Sequence, residues 1–157
     1  LSSGIKVYGT DDNKRLPFDD ERFDLVINRH SPYNEKEVFR VLCKGGIFLT
    51  QQVGSDNLRD LVKKFNPKQK TSDWSLKKAV EKLKKAGFKI EKAEKWSGKT
   101  EFKDIGALVY FLKAIPWIVE GFSIGRYLDV LEKMQSKVDK KKPLIFTVKR
   151  FFIKATK

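Results

Sequence analysis

The sequence predicts a single α/β domain of 157 residues built on a mostly parallel sheet. Three observations predict it. Short, near-continuous apolar runs have the character of strands buried on both faces. These runs alternate with stretches whose apolar residues recur at helical spacing. Several of them open directly into polar segments, the place where open α/β sheets bind their ligands.

The elements follow in order. Ile5 to Gly9 is a β-rich run with apolar Ile5, Val7 and Tyr8, ending in the polar turn Thr10-Asp11-Asp12-Asn13. Phe23-Asp24-Leu25-Val26-Ile27 reads as the next strand, buried on both faces. Asn34 caps the following helix, Glu37 completes a capping box, and Gly45-Gly46 terminates it. Ile47-Phe48-Leu49-Thr50 is a buried strand that opens into Gln51-Gln52-Val53-Gly54. Leu58, Leu61, Val62 and Phe65 form the stripe of a helix closed before Pro67, and Trp74, Leu76, Val80 and Leu83 that of a longer one stopped at Gly87. Phe88 and Ile90 alternate with Lys89 and Glu91, as in a half-exposed strand. Asp104 caps an apolar helix that ends near Pro116-Trp117. Ser123 caps another, with Ile124, Tyr127, Leu128, Leu131, Met134 and Val138 on one side, and the strand around Val148 to Ala155 closes the chain. One domain over 1–157 with a helical insertion at 103–140 is the expected organisation.

Composition bounds the function. At 40% hydrophobic and 12% aromatic residues, the chain can build a core and is not a disordered tail. The single cysteine, Cys43, excludes an intramolecular disulfide and a polythiolate metal cluster, and it fits a reducing, cytoplasmic setting. No metal site is expected, and no apolar run approaches the ~20 residues that span a bilayer. The start at Leu1, just before a predicted strand and without an initiator Met, is the start expected of a truncated product. Lys and Arg outnumber Asp and Glu 34 to 20, a net charge of +14 that favours polyanions, nucleic acid among them. Much of that charge is instead the solvated face of one helix, at Lys77, Lys78, Lys82, Lys84 and Lys85.

Three segments also carry a family resemblance. Asp12-Asn13-Lys14-Arg15-Leu16-Pro17-Phe18, then Phe23-Asp24-Leu25-Val26, then Val41-Leu42-Cys43-Lys44-Gly45-Gly46-Ile47-Phe48 resemble successive signatures of class I S-adenosylmethionine-dependent methyltransferases. They cover residues 5 to 53 in the family's order and spacing. The resemblance implies a Rossmann-like sheet, here without the glycine-rich cofactor loop and the central strands, and with an antiparallel C-terminal strand. It implies S-adenosylmethionine as cofactor and methyl transfer to an unidentified small molecule or RNA by the parent protein, this stretch alone being inactive. Asp12 matches the acid that accepts from the adenine amino group, and Asn13 the neighbour whose amide reaches the ring. Asn28 and Arg29 match the strand end lining the methionine moiety.

Around that core, His30, the sole histidine, is the candidate base for the nucleophile's proton. Tyr33 and Gln51 are candidate substrate contacts, as are Tyr110 and Trp117 on a stretch that would form a lid. A homodimer covering unpaired sheet edges is the expected assembly. Two other classes compete with the methyltransferase. A basic nucleic-acid-binding module would lose polyanion binding steeply with salt. A nicotinamide-type Rossmann enzyme would need Gly-x-Gly-x-x-Gly at the start of a helix, which this sequence lacks.

Overall fold

The computed structural model describes residues 4–9 and 15–157. Its strands are β1 (Phe23–Arg29), β2 (Leu42–Val53), β3 (Lys89–Phe102) and β4 (Leu144–Thr156). Its helices are α1 (Glu35–Val41), α2 (Arg59–Phe65), α3 (Leu76–Lys85), α4 (Ile105–Ala114) and α5 (Leu128–Asp139), the last preceded by a 3-10 turn at Gly125–Tyr127. The strands form one mixed sheet in the order β1-β2-β4-β3, so the fold is α/β as predicted. β1 and β2 are parallel. The carbonyl of Lys157, at the end of the chain, accepts from Gly45 near the start of β2, so β4 runs against β2. Glu91, early in β3, bonds Thr156 and Lys154 late in β4, so those two strands are antiparallel as well.

Two compact units divide the chain: Leu1–Val53, Trp74–Lys95 and Phe151–Lys157 in the first, Gly54–Asp73 and Trp96–Arg150 in the second. In the first, Leu42, Phe48, Leu83 and Ile153 are fully buried and gather Val38, Phe88 and Phe151 around them. The helical stretch expected at 103–140 falls in the second, whose core joins Leu61, Leu108, Leu112, Leu131 and Phe146. Asp104 caps α4 as expected, its Oδ1 accepting from Ala107 N at 2.7 Å. Ser123 does not cap α5, whose cap position is Tyr127; the Ser123 Oγ accepts from Arg126 N at 3.3 Å, within the 3-10 turn. Among the described residues no helix is long and apolar enough to cross a membrane.

Three local expectations are corrected. Ile5 to Gly9 is not a strand, and Ile5 and Val7 are 77% and 91% exposed. A β-rich run becomes a strand only where a sheet edge takes its hydrogen bonds, and this one pairs with none of the four strands. Phe23 to Ile27 is a strand, but not one buried on both faces: Leu25 and Ile27 are 47% and 68% exposed on a terminal strand of the sheet. Gly45-Gly46 does not end α1. Leu42, extended and fully buried, ends it by entering the sheet opposite Phe23, and the next pair is Ile47 with Leu25. The residues Cys43 to Gly46 bulge between them. Gly45 turns the chain at φ 76°, where an L side chain is strained. A Cβ on Gly46 would stand 2.8 Å from the Cys43 carbonyl.

Candidate functional site

β2 alternates with period two, so Phe48, Thr50 and Gln52 point into the first unit while Gln51 points the other way. Burying Thr50 and Gln52 requires partners for their polar groups. Asn28, at the end of β1, supplies one. Its Oδ1 accepts from Thr50 Oγ1 at 3.1 Å and from Gln52 Nε2 at 2.5 Å. Gln52 Nε2 also donates to the Ser31 carbonyl at 3.1 Å. The network ties the tips of the two parallel strands together and draws the segment after β1 over the end of β2. His30 makes the turn in the left-handed region at φ 54°, its amide donating to the Gln51 carbonyl at 2.9 Å.

A cavity of about 390 Å³ opens beside these tips. Pro32, Tyr33 and Trp74 give it apolar walls, and His30, Glu35, Gln52 and Lys82 give it polar ones. Tyr33 is held edge-on to Phe48 at 5.0 Å between ring centres, with Trp74 at 6.4 Å. Trp74 in turn lies 5.9 Å from Phe151 of β4. The Tyr33 hydroxyl is buried, and among the described residues it has no hydrogen-bond partner. Burial, and then the nearby Glu35 carboxylate, push its pKa well above the ordinary phenol value. Glu35 is placed by α1, in whose first turn it lies, Asn34 capping that helix through Lys36 N and Glu37 N. Lys82, on α3, reaches back so that its Nζ lies 3.6 Å from Glu35 Oε1 and 5.5 Å from the centre of the Trp74 ring.

A second feature links the sequence signatures. Arg40, beside Val41-Leu42, donates to the carbonyls of Leu16 and Phe18 at 3.1 and 2.8 Å. Glu37 holds the guanidinium from below through Nε at 3.0 Å and Nη2 at 2.8 Å, and accepts from Leu16 N at 2.8 Å. The Leu-Pro-Phe segment is thus latched to α1 through its backbone.

The fold is similar to that of known structures. A candidate methyltransferase from Bacillus halodurans matches with a TM-score of 0.58 at 18% identity, over 92% of this chain and 68% of that one. The YcgJ protein of Bacillus subtilis matches at 0.52 and 18%, over 90% and 67%. The MccD protein matches at 0.50 and 15%, over 93% and 65%. The fold is methyltransferase-like. The chain spans about two thirds of the length of these neighbours. No protein-family model matches the sequence, and no curated protein matches it.

Within this methyltransferase-like fold the expected site residues fall into four groups. Asp12 and Asn13 lie outside the described residues. Asn28, His30 and Tyr33 come together at the cavity or the network beneath it. Arg29 and Gln51 pair with each other, Nε to Oε1 at 3.2 Å, outside the cavity lining. Tyr110 and Trp117 belong to the second unit and are exposed. Glu35, Gln52, Trp74 and Lys82 were not among the expected site residues. The period of β2 separates Gln52 from Gln51 in the sequence, but nothing local shows which of them faces the core. Lys82 reads as one more cation on a polar helix face, and only tertiary packing sets it against Trp74.

Proposed function

We propose that the protein is an S-adenosylmethionine-dependent methyltransferase whose methyl acceptor is a small nucleophile held in the cavity beside the tips of β1 and β2. The observation that carries this reading is the position of that cavity. It lies at the carboxyl ends of two parallel strands, where open α/β sheets bind ligands, in a chain with a methyltransferase-like fold. A methyl group activated by a sulfonium is what S-adenosylmethionine supplies when bound.

The residues present suit such a charge. The end of β1 offers the neutral amide of Asn28, whose carbonyl oxygen is tolerant of a nearby cation. Asn28 and Arg29 would face the methionine end of the cofactor, and Asp12 and Asn13 the adenine. Pro32, Tyr33 and Trp74 exclude water and hold the acceptor in place, which is the main contribution required when the leaving group arrives with the cofactor. His30, on the cavity wall, takes up the proton that the acceptor loses.

The test is a thermal-shift titration of the full-length protein with S-adenosylhomocysteine. Ligand at 100 times its Kd should add about 2.7 kcal/mol of stability and raise Tm by several degrees. An unchanged Tm at millimolar ligand would defeat the reading.

A further inference from the structure

Three elements converge on one corner of the cavity. α1 brings Glu35, whose side chain is only 17% exposed, the segment before α3 brings Trp74, and the loop after β1 brings Tyr33. A carboxylate close to an aromatic ring face is an environment that selects a cation, since the Trp74 face and the Glu35 carboxylate both present negative potential. The protein already places a cation there. The Lys82 ammonium lies 5.5 Å from the centre of the Trp74 ring and 3.6 Å from Glu35 Oε1. Its side chain is 57% exposed, and an exposed ion pair of this length holds only weakly. Lys82 can therefore swing into solvent at small cost and leave the carboxylate and the Trp74 ring to another ammonium.

We infer that this corner is the recognition site for the ammonium group of a small amine, with Lys82 as an internal occupant that the amine displaces. The inference rests on the methyl-transfer reading for its meaning, since it makes the acceptor an amine-bearing molecule, but its geometry is independent of that reading. A volume of about 390 Å³ has room for such a group with a ring or short chain attached. An anion is the opposite case: Glu35 would repel it.

The test is binding of phenethylamine and of its neutral isostere phenethyl alcohol to the full chain, by calorimetry and by the Trp74 indole N–H resonance. The amine should bind at least tenfold more tightly than the alcohol and shift that resonance. Glu35→Gln should cost the amine tenfold or more and leave the alcohol unchanged. Lys82→Ala should tighten the amine by about threefold or more, because it removes the competitor. Equal binding of amine and alcohol overturns the inference, and so does weaker amine binding in Lys82→Ala. Displacement of the amine by S-adenosylhomocysteine also overturns it, because the corner would then hold the cofactor. Amine binding as expected with no thermal shift from S-adenosylhomocysteine leaves the ammonium site standing and removes methyl transfer. The reverse pair of results does the opposite.

Discussion

His30 occupies a backbone conformation that few side chains adopt, φ 54°, at the point where the chain leaves β1 and turns over the end of β2. Asn tolerates that conformation, so His30→Asn should keep the turn and the fold while removing the ring from the cavity wall. Methyl transfer should fall about 100-fold or more, with acceptor affinity and Tm nearly unchanged. Steady-state kinetics beside a melting curve measures both. Glu37 makes a different prediction. Its hydrogen bond from the Arg40 guanidinium, helped by the Leu16 amide, holds its carboxyl below the ordinary value. A depressed folded-state pKa means that the unfolded chain binds the proton more readily. The stabilisation is then full above the unfolded value of about 4.3 and is lost as pH falls through the lower folded value. Glu37→Gln should lower Tm by about 3 °C at pH 7 and by less at about pH 3. A pH series of melting curves for the two proteins would show it. An equal difference at both pH values would remove the charge from the explanation.

At the scale of the element, the turn from α3 to β3 depends on Gly87. Its φ is 106°, and a Cβ there would stand 2.9 Å from two atoms of the Phe39 ring. Phe39 packs edge-on against Phe88 at 5.1 Å, so the ring cannot retreat without disturbing the core behind it. Gly87→Ala should destabilise the protein by about 2 kcal/mol, measured by urea unfolding, from backbone strain and overpacking together. The glycine was legible in the sequence as a helix stop. The close approach of Phe39 was not, because the two residues lie on different elements and meet only in the folded unit. The ends of α1 and β1 teach the same lesson. Helical spacing located α1, but its last residue was decided by Leu42 entering the sheet opposite Phe23.

At the scale of the whole molecule, β1 stands at one end of the strand order with Leu25 and Ile27 exposed beside it. An edge of that kind invites pairing with another chain. We expect the isolated chain to self-associate through β1 at high concentration. Ile27→Lys should restore the monomer mass in sedimentation equilibrium, because a charge on an edge strand opposes pairing. Monomeric behaviour of the unsubstituted chain throughout the concentration range would refute this. The net charge of +14 acts in the opposite direction, so the association should strengthen as added salt screens it.

The sequence by itself determined the α/β class, the helices and their order, the cap at Asp104, and the polar strand ends where a ligand site was to be sought. Each of these follows from local periodicity and from hydrogen bonds between near neighbours in the chain. Only the tertiary structure decided that Ile5 to Gly9 forms no strand and that Gln52 rather than Gln51 lines the cavity. It alone brought Glu35, Trp74 and Lys82 to one corner. Strand formation, side-chain facing and charge pairing between elements depend on partners far away in sequence, and no local pattern encodes which partner arrives.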